Sequence, residues 1–171
     1  MLFRSDTTAG LTSSYVDNGL GFVKDQRTGL MWEKKSDDGS IHDKDDAYRW
    51  SQGDPWDATG SAFTTFLAAL NTAPCFAGDC DWRFPTVNEL ETIRDLEPSG
   101  AAISPEFDTG CTPGCSVTTC SCTAAYFTWT ASTSPRFPDS AWGVDFTDGT
   151  AYGSSKANLH FVRAEIGRAH V

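Results

Sequence analysis

The sequence predicts an α+β domain in which two helices precede a set of antiparallel strands. Segment 61–70 carries apolar residues at the spacing of one helical face, and a second helix is predicted over 86–96. Strands are then predicted at 126–130 and at 141–146, and the latter alternates apolar with polar or small residues. A length of 171 residues suffices for one domain with a hydrophobic core. The apolar positions of the first helix are Phe63, Phe66, Leu67 and Leu70.

The rest of the chain reads as a hairpin and two loops. Segments 22–23 and 30–32 are apolar and flank the polar, Gly-bearing turn 25–29, so a hairpin is predicted there. The charged segment 34–46 is predicted to be a surface loop. Residues 98–125 are rich in Gly, Pro, Ser, Thr and Cys, and we expect a long loop that local disulfides hold in place.

The second helix has the clearest start signal in the chain. Pro85 fixes its own φ and biases Phe84 towards extended backbone, so a rigid turn leads into the helix. Thr86 can cap the helix, and Glu89 lies three residues later, where a capping box requires an acidic side chain.

The polar residues Asp81, Arg83 and Glu89 around this start either line a polar site or hold the helix in place. We interpret Arg83 as structural, because a guanidinium fork pairs well with a carboxylate and backbone carbonyls.

Composition sets the domain boundaries. Residues 1–17 are polar and weakly patterned, and we expect a poorly ordered lead-in. Residues 18–164 form the predicted domain, with a final, truncated strand at 159–163. Residues 165–171 read EIGRAHV, which a widely used sequencing adapter encodes almost entirely. We therefore infer adapter read-through and leave this tail out of the fold prediction.

The six cysteines predict disulfides and an oxidising compartment: secreted, periplasmic or cell surface. Cys75 and Cys80 are expected to pair. Two further bonds are expected among the others, either Cys111–Cys122 with Cys115–Cys120 or the crossed alternative. A four-thiolate zinc site is the rival, but the spacing lacks paired C-x2-C motifs. The N-terminus shows no apolar signal-peptide segment, so we expect a truncated chain or one excised from a longer secreted protein.

The net charge of −10 disfavours binding to nucleic acid, heparin-like polyanions and anionic membranes. No apolar run approaches the length of a membrane span, so membrane insertion is not predicted. The acidic loop from Asp37 to Asp46 offers oxygens that suit calcium, yet it lacks the order of an EF-hand. A solvated acidic face is the default interpretation, and no cofactor or metal is predicted.

The aromatic residues divide into core and surface candidates. Trp32, Trp82 and Trp142 are the core candidates. Trp56, Phe137 and Tyr152 lie among Gly, Pro and Ser, so we expect them to be exposed and to bind a ligand. His42 and His160 have no evident Ser or Cys partner in a motif context, and no catalytic residue is predicted.

Several segments together resemble the bacterial family named after the C-terminal domain of the Legionella collagen-like protein. The resemblance covers about residues 18–164. Phe84 stands where the family usually has Leu, and the closing VRxVRG motif is present only as 162–164. The segments are GLMWE at 29–33, AGDCDWRFPTVNEL at 77–90, FTWTAS at 127–132, AWGVDFTDG at 141–149 and FVRA at 161–164.

The segment RFPTVNEL at 83–90 is also similar to a motif of formylglycine-generating-enzyme-like proteins. That resemblance implies a C-type-lectin-like fold: two helices, a small twisted antiparallel sheet and long loops that bear the binding site. Fold alone does not fix function.

The sequence thus favours a secreted or cell-surface binding module that recognises glycans or another surface ligand through its loops. A protein-interaction or display module is the alternative. An enzyme of the formylglycine-generating type is a distant third, since no cysteine lies in the late segment that such chemistry needs.

Overall fold

The computed structural model describes residues 14–97 and 101–167, and these form three small antiparallel sheets with two short helices and long loops. One sheet has the order β1-β2-β3-β9, a second pairs β4 with β8, and the third has the order β5-β6-β7. The α+β class is therefore confirmed. The strands are β1 (Tyr15–Asp17), β2 (Phe22–Asp25), β3 (Met31–Glu33), β4 (Tyr48–Arg49), β5 (Phe127–Thr133), β6 (Ser140–Asp145), β7 (Thr150–Ser155), β8 (Leu159–His160) and β9 (Glu165–Ile166).

The first helix, α1, joins a π-helical segment Ala62–Leu67 to an α-helical turn Ala68–Leu70, as the apolar spacing predicted. The second, α2, spans only Val87–Glu91, so the predicted extent of 86–96 was wrong. The chain leaves the helix because Thr92 Oγ1 donates to the carbonyl of Glu89 at 2.6 Å and Arg94 forms a β-bridge with Ile103. Single 3₁₀ turns occur at Phe76–Gly78 and Pro105–Phe107.

The start of α2 has the predicted capping box. Thr86 Oγ1 accepts from the Glu89 backbone N–H at 3.2 Å, and the Glu89 carboxylate accepts from the Thr86 N–H at 2.7 Å. Each group satisfies a donor that a helix N-terminus leaves free. The predicted hairpin is also confirmed, because β2 pairs with β3 around the turn at 26–30.

Three boundaries differ from the prediction. Tyr15–Asp17 is not lead-in but pairs with β2 as an edge strand. Thr150–Ser155 forms a strand that the sequence pattern did not reveal, since its Gly and Ser residues give no apolar alternation. Glu165 and Ile166 pair with β3, although they were left out of the fold prediction. Their origin as adapter read-through stays a prediction. Residues 1–13, 98–100 and 168–171 lie outside the described residues.

Among the described residues, the buried side chains form two large apolar clusters and a third, small cluster of the cysteines at 115, 120 and 122. One large cluster centres on α1, with Phe66, Phe84 and Trp129, and the other lies between α2 and β6, with Leu90 and Val144. Trp32 and Trp82 are buried, as predicted, at 0% and 2% exposure. Trp142 is not a core residue, because 37% of it is exposed.

Three disulfides join the six cysteines, in the nested one of the two predicted arrangements. They are Cys75–Cys80, Cys111–Cys122 and Cys115–Cys120. The last two hold the predicted long loop together, and their sulfurs pack within 3.7 Å of each other. All four thiols of the rival zinc site are therefore used in bonds. In the part of the chain that is described, no helix has the length and apolar character needed to cross a membrane.

Candidate functional site

A buried lysine ties together the loops that carry two of the exposed aromatic candidates. Lys156 follows β7 and is only 4% exposed. Its ammonium donates to the carbonyl of Trp56 at 2.9 Å and to the carbonyl of Pro138 at 2.7 Å. It also lies over the Trp50 ring, 4.2 Å from the centroid. Two separate loops are therefore held around one cation, whose charge the carbonyl dipoles and the ring face compensate.

The backbone of Lys156 makes further hydrogen bonds to the same loops. Its N–H donates to the carbonyl of Asp139 at 2.8 Å, and its carbonyl accepts from Trp50 and Ser51 at 3.1 and 3.0 Å. Burial lowers the pKa of the Lys156 ammonium, while Asp57 and Asp139 oppose that shift. Lys156 thus joins the loop of Pro138 and Asp139 to the segment that begins at Trp50, whose ring also packs in the hydrophobic core.

An aromatic groove of about 490 Å³ opens beside this tie. Trp142 and Phe137 are exposed by 37% and 56%, and the Arg136 guanidinium lies 5.5 Å from the centre of the Phe137 ring. Hydroxyl groups of two serines complete the wall. The aromatic groove is lined by Ser134, Pro135, Arg136, Phe137, Ser140, Trp142 and Gly153.

The register of the third sheet explains why the Trp142 ring is open. Trp142 on β6 stands directly opposite Gly153 on β7. Directly opposed residues share one face of a sheet and normally cover each other. A Cβ at Gly153 would have only the Ala141 carbonyl oxygen within 4 Å, at 3.9 Å. The position beside Trp142 is therefore open space, and a flat ligand can fill it.

The three predicted ligand-binding aromatics do not form one surface. Phe137 lines the aromatic groove. Trp56 is half-buried with a φ of 66°, and it meets the groove only through the contact of its carbonyl with Lys156. Tyr152 stands opposite Gly143, so it lies on the other face of the sheet, where its hydroxyl donates to Asp145 at 3.1 Å.

Sequence reasoning missed Lys156, Gly153 and the exposure of Trp142. A glycine inside a strand pattern signals close approach or open space, and that signal was present at Gly153. Nothing local marks Lys156, because its partners are 100 and 18 residues away in sequence.

The polar residues at the start of α2 form a structural cluster. The Arg83 guanidinium contacts Glu89 at 2.9 Å, and its backbone exchanges two hydrogen bonds with Glu165, each of 2.9 Å. Asp81 is exposed. A shallow hollow of about 550 Å³ lies beside Arg83 and Glu89. The predicted fork role of Arg83 is therefore consistent with its carboxylate and carbonyl contacts.

The acidic loop brings Asp37, Asp43 and Asp45 within reach of one another. Lys44 lies among them, with Nζ 3.7 Å from Asp37 and 2.6 Å from Asp45. The Asp43 carboxylate also accepts from the N–H groups of Gly39 and Asp45. Local donors thus already balance these carboxylates.

Two histidine contacts are relevant to catalysis. His160 Nε2 lies 2.7 Å from Ser154 Oγ, and burial lowers the pKa of its ring. Among the described residues, no carboxylate is hydrogen-bonded to its other ring nitrogen. His42 Nδ1 lies 2.7 Å from the buried Glu33 carboxylate, which Lys35 also contacts at 3.2 Å. Burial alone would raise the pKa of the Glu33 carboxyl. Lys35 and His42 stabilise its charged form more strongly than burial disfavours it, so the pKa is lowered.

Comparison with known proteins gives one match. A sequence model of the family described as the Lcl C-terminal domain matches residues 21–164. No curated protein and no solved structure matches the chain. The match includes every residue that lines the aromatic groove, and the name of the family states no activity.

Proposed function

The chain belongs to the Lcl C-terminal domain family, and on that premise we propose that it is a binding module that holds a glycan in the aromatic groove. The observation that carries the proposal is the open Trp142 ring beside Gly153. Sugar rings present an apolar face that packs on aromatic rings and a rim of hydroxyls that needs polar partners. The groove offers both, with Phe137 as a second ring and Ser134 and Ser140 as hydroxyl partners.

Three disulfides and the long loops support the wider setting of this proposal. Disulfides persist in oxidising compartments, so we place the module outside the cytoplasm, in the periplasm or at the cell surface. We further propose a C-type-lectin-like arrangement, in which long loops next to a small sheet carry the ligand. The proposal contains no catalytic step and no metal.

The direct test is a glycan array followed by titration calorimetry with the neutral glycans that bind. Trp142→Ala should weaken binding at least about tenfold, which corresponds to about 1.4 kcal/mol. Gly153→Val should block binding without unfolding the domain, because its added side chain enters open space beside the ring.

Tyr126→Ala is the matched control, since Tyr126 is 63% exposed yet does not line the groove. Tyr152→Ala tests the other face of the same sheet. Unchanged affinity in both variants supports the groove. Loss of binding in Tyr152→Ala but not in Trp142→Ala would move the site to the opposite face. An empty array would overturn the proposal and favour a protein partner.

A further inference from the structure

A second groove of about 550 Å³ borders the residue that follows Lys156, and its lining is mainly polar. The polar groove combines the end of β4, the loop that follows it and the first turn of α1. Its lining residues are Arg49, Ser51, Gln52, Gly60, Ser61, Thr64, Thr65 and Ala157.

The floor of the polar groove is rigid. The Gly60 N–H donates to the carbonyl of Trp50 at 3.1 Å, and a Cβ at position 60 would collide with the carbonyl of Arg49. Ser61 Oγ accepts from the Arg49 N–H at 3.1 Å. Because only glycine permits this close approach, the start of α1 is held tightly against β4. A site on such a fixed frame loses little freedom when a ligand binds.

The wall of the polar groove carries hydrogen-bonding groups that are not used within the protein. In residues 14–97 and 101–167, the Arg49 guanidinium makes no ion pair and no hydrogen bond, and neither does the Thr65 hydroxyl. The Gln52 amide lies beside them and reaches the Thr59 carbonyl at 2.9 Å. Free donors and hydroxyls, with no exposed aromatic ring in the lining, suit a ligand that presents many hydroxyls.

Lys156 connects the two grooves. Its ammonium binds the Pro138 carbonyl beside the aromatic groove, while its own carbonyl accepts from Ser51 in the polar groove. Gly153 lines the first groove and Ala157 the second. These two residues are four apart in the chain, so their Cα atoms are separated by at most about 14 Å. A short oligosaccharide can span that distance.

We propose that the polar groove is a second subsite for the glycan of the aromatic groove, so that the domain binds an oligosaccharide along both grooves. This inference rests on the proposed function, which requires only the aromatic groove. One sugar stacks on Trp142, and more distant sugars of the same chain meet Arg49 and Thr65. The ligand class is an uncharged oligosaccharide of several units and not a single terminal sugar.

The test compares oligosaccharides of one linkage and increasing length, namely β-linked glucose oligomers of two to six units, by titration calorimetry. We expect affinity to rise at least about tenfold along the series in the unmodified protein. Arg49→Met and Thr65→Val should abolish that rise and leave the affinity of the shortest binding oligomer unchanged. Trp142→Ala should weaken every member. Thr72→Val is the matched control, because Thr72 is exposed but lies outside both grooves.

Two results would overturn the inference. Equal affinity at all lengths, with binding still lost in Trp142→Ala, would remove the second subsite and leave the proposed function standing. A rise with length that Arg49→Met and Thr65→Val do not change would place the additional contacts elsewhere. If no oligomer binds, the second subsite fails for this class of glycan, and the glycan array alone decides the proposed function.

Discussion

Arg163 and Lys156 are both buried cations that join distant loops, yet they stabilise regions of different character. Arg163 is 2% exposed and donates to the carbonyls of Glu33 and Cys122, both at 2.6 Å, and to Thr123 Oγ1 at 2.8 Å. It lies over the Phe107 ring, as Lys156 lies over Trp50. Both cations thus replace water by carbonyl oxygens and a ring face.

The difference lies in what else holds each region. Two disulfides also constrain the loop that Arg163 contacts. The loops around Lys156 contain no cysteine, and the aromatic groove is beside them. Disulfides therefore constrain the loop beside Arg163, whereas none constrains the loops beside the aromatic groove.

The largest effect is expected from Arg163→Met. This change removes three hydrogen bonds and leaves the buried carbonyls of Glu33 and Cys122 without their partner. We expect a loss of about 4 kcal/mol in the free energy of unfolding, measured by urea denaturation. Arg163→Lys should recover part of it, because a lysine keeps the charge but lacks the fork. Arg136→Met, at an exposed site, serves as the control and should cost under about 0.5 kcal/mol.

A buried carboxyl group gives the opposite case, because burial opposes its charge more strongly than its cationic partner, Arg83, supports it. Glu165 is fully buried, and the Arg83 guanidinium contacts its carboxylate at 2.6 Å. Burial raises the pKa of its carboxyl to about 7. The folded state then holds a proton that the unfolded state releases from about pH 4.5 upwards, so stability is lost as the pH rises towards 7.

Glu165→Gln should therefore change stability little at pH 4 and raise it by about 3 kcal/mol at pH 8. Urea denaturation of both proteins across this range measures the difference. A constant difference at all pH values would contradict the assignment of a raised pKa to this carboxyl.

The double variant Cys111→Ala with Cys122→Ala measures how much the Cys111–Cys122 disulfide contributes to stability. The bond closes a loop with a sequence separation of 11, and loop-closure entropy predicts a loss of about 3 kcal/mol. Glycan affinity of the folded protein should not change, because the aromatic groove does not contact this loop. Loss of affinity in a variant that remains folded would show that the two regions are coupled.

The smallest loss of stability but the largest loss of binding is expected from Lys156→Met. Two charge-assisted hydrogen bonds disappear, at a cost of about 2 kcal/mol in the free energy of unfolding. The loops of Trp56 and Phe137 then separate, and glycan binding should fall at least about tenfold. Lys44→Met, at a cation with only local acidic partners, is the control. Intact binding in Lys156→Met would show that the groove does not depend on this tie.

The sequence by itself determined the elements whose signals are local. The capping box of Thr86 and Glu89 lies within four consecutive residues, the hairpin surrounds a short polar turn, and Cys75 and Cys80 pair across a short loop. Such features depend on neighbours in the chain, so their residue types alone predict them. The length of α2 was not predictable in this way. The apolar spacing is compatible with a longer helix, but Arg94 forms a β-bridge with Ile103 instead.

The tertiary structure decided which residues meet across long separations. Trp142 resembles a core residue in its strand, but its exposure depends on the glycine that the register of β7 places opposite it. Lys156 is an ordinary polar residue in the sequence, and only the fold surrounds its ammonium with two distant carbonyls and the Trp50 ring. Both outcomes arise from contacts between segments that are far apart in the sequence and meet only in the folded chain. The residue types in a short stretch of sequence therefore do not reveal which distant residues make these contacts.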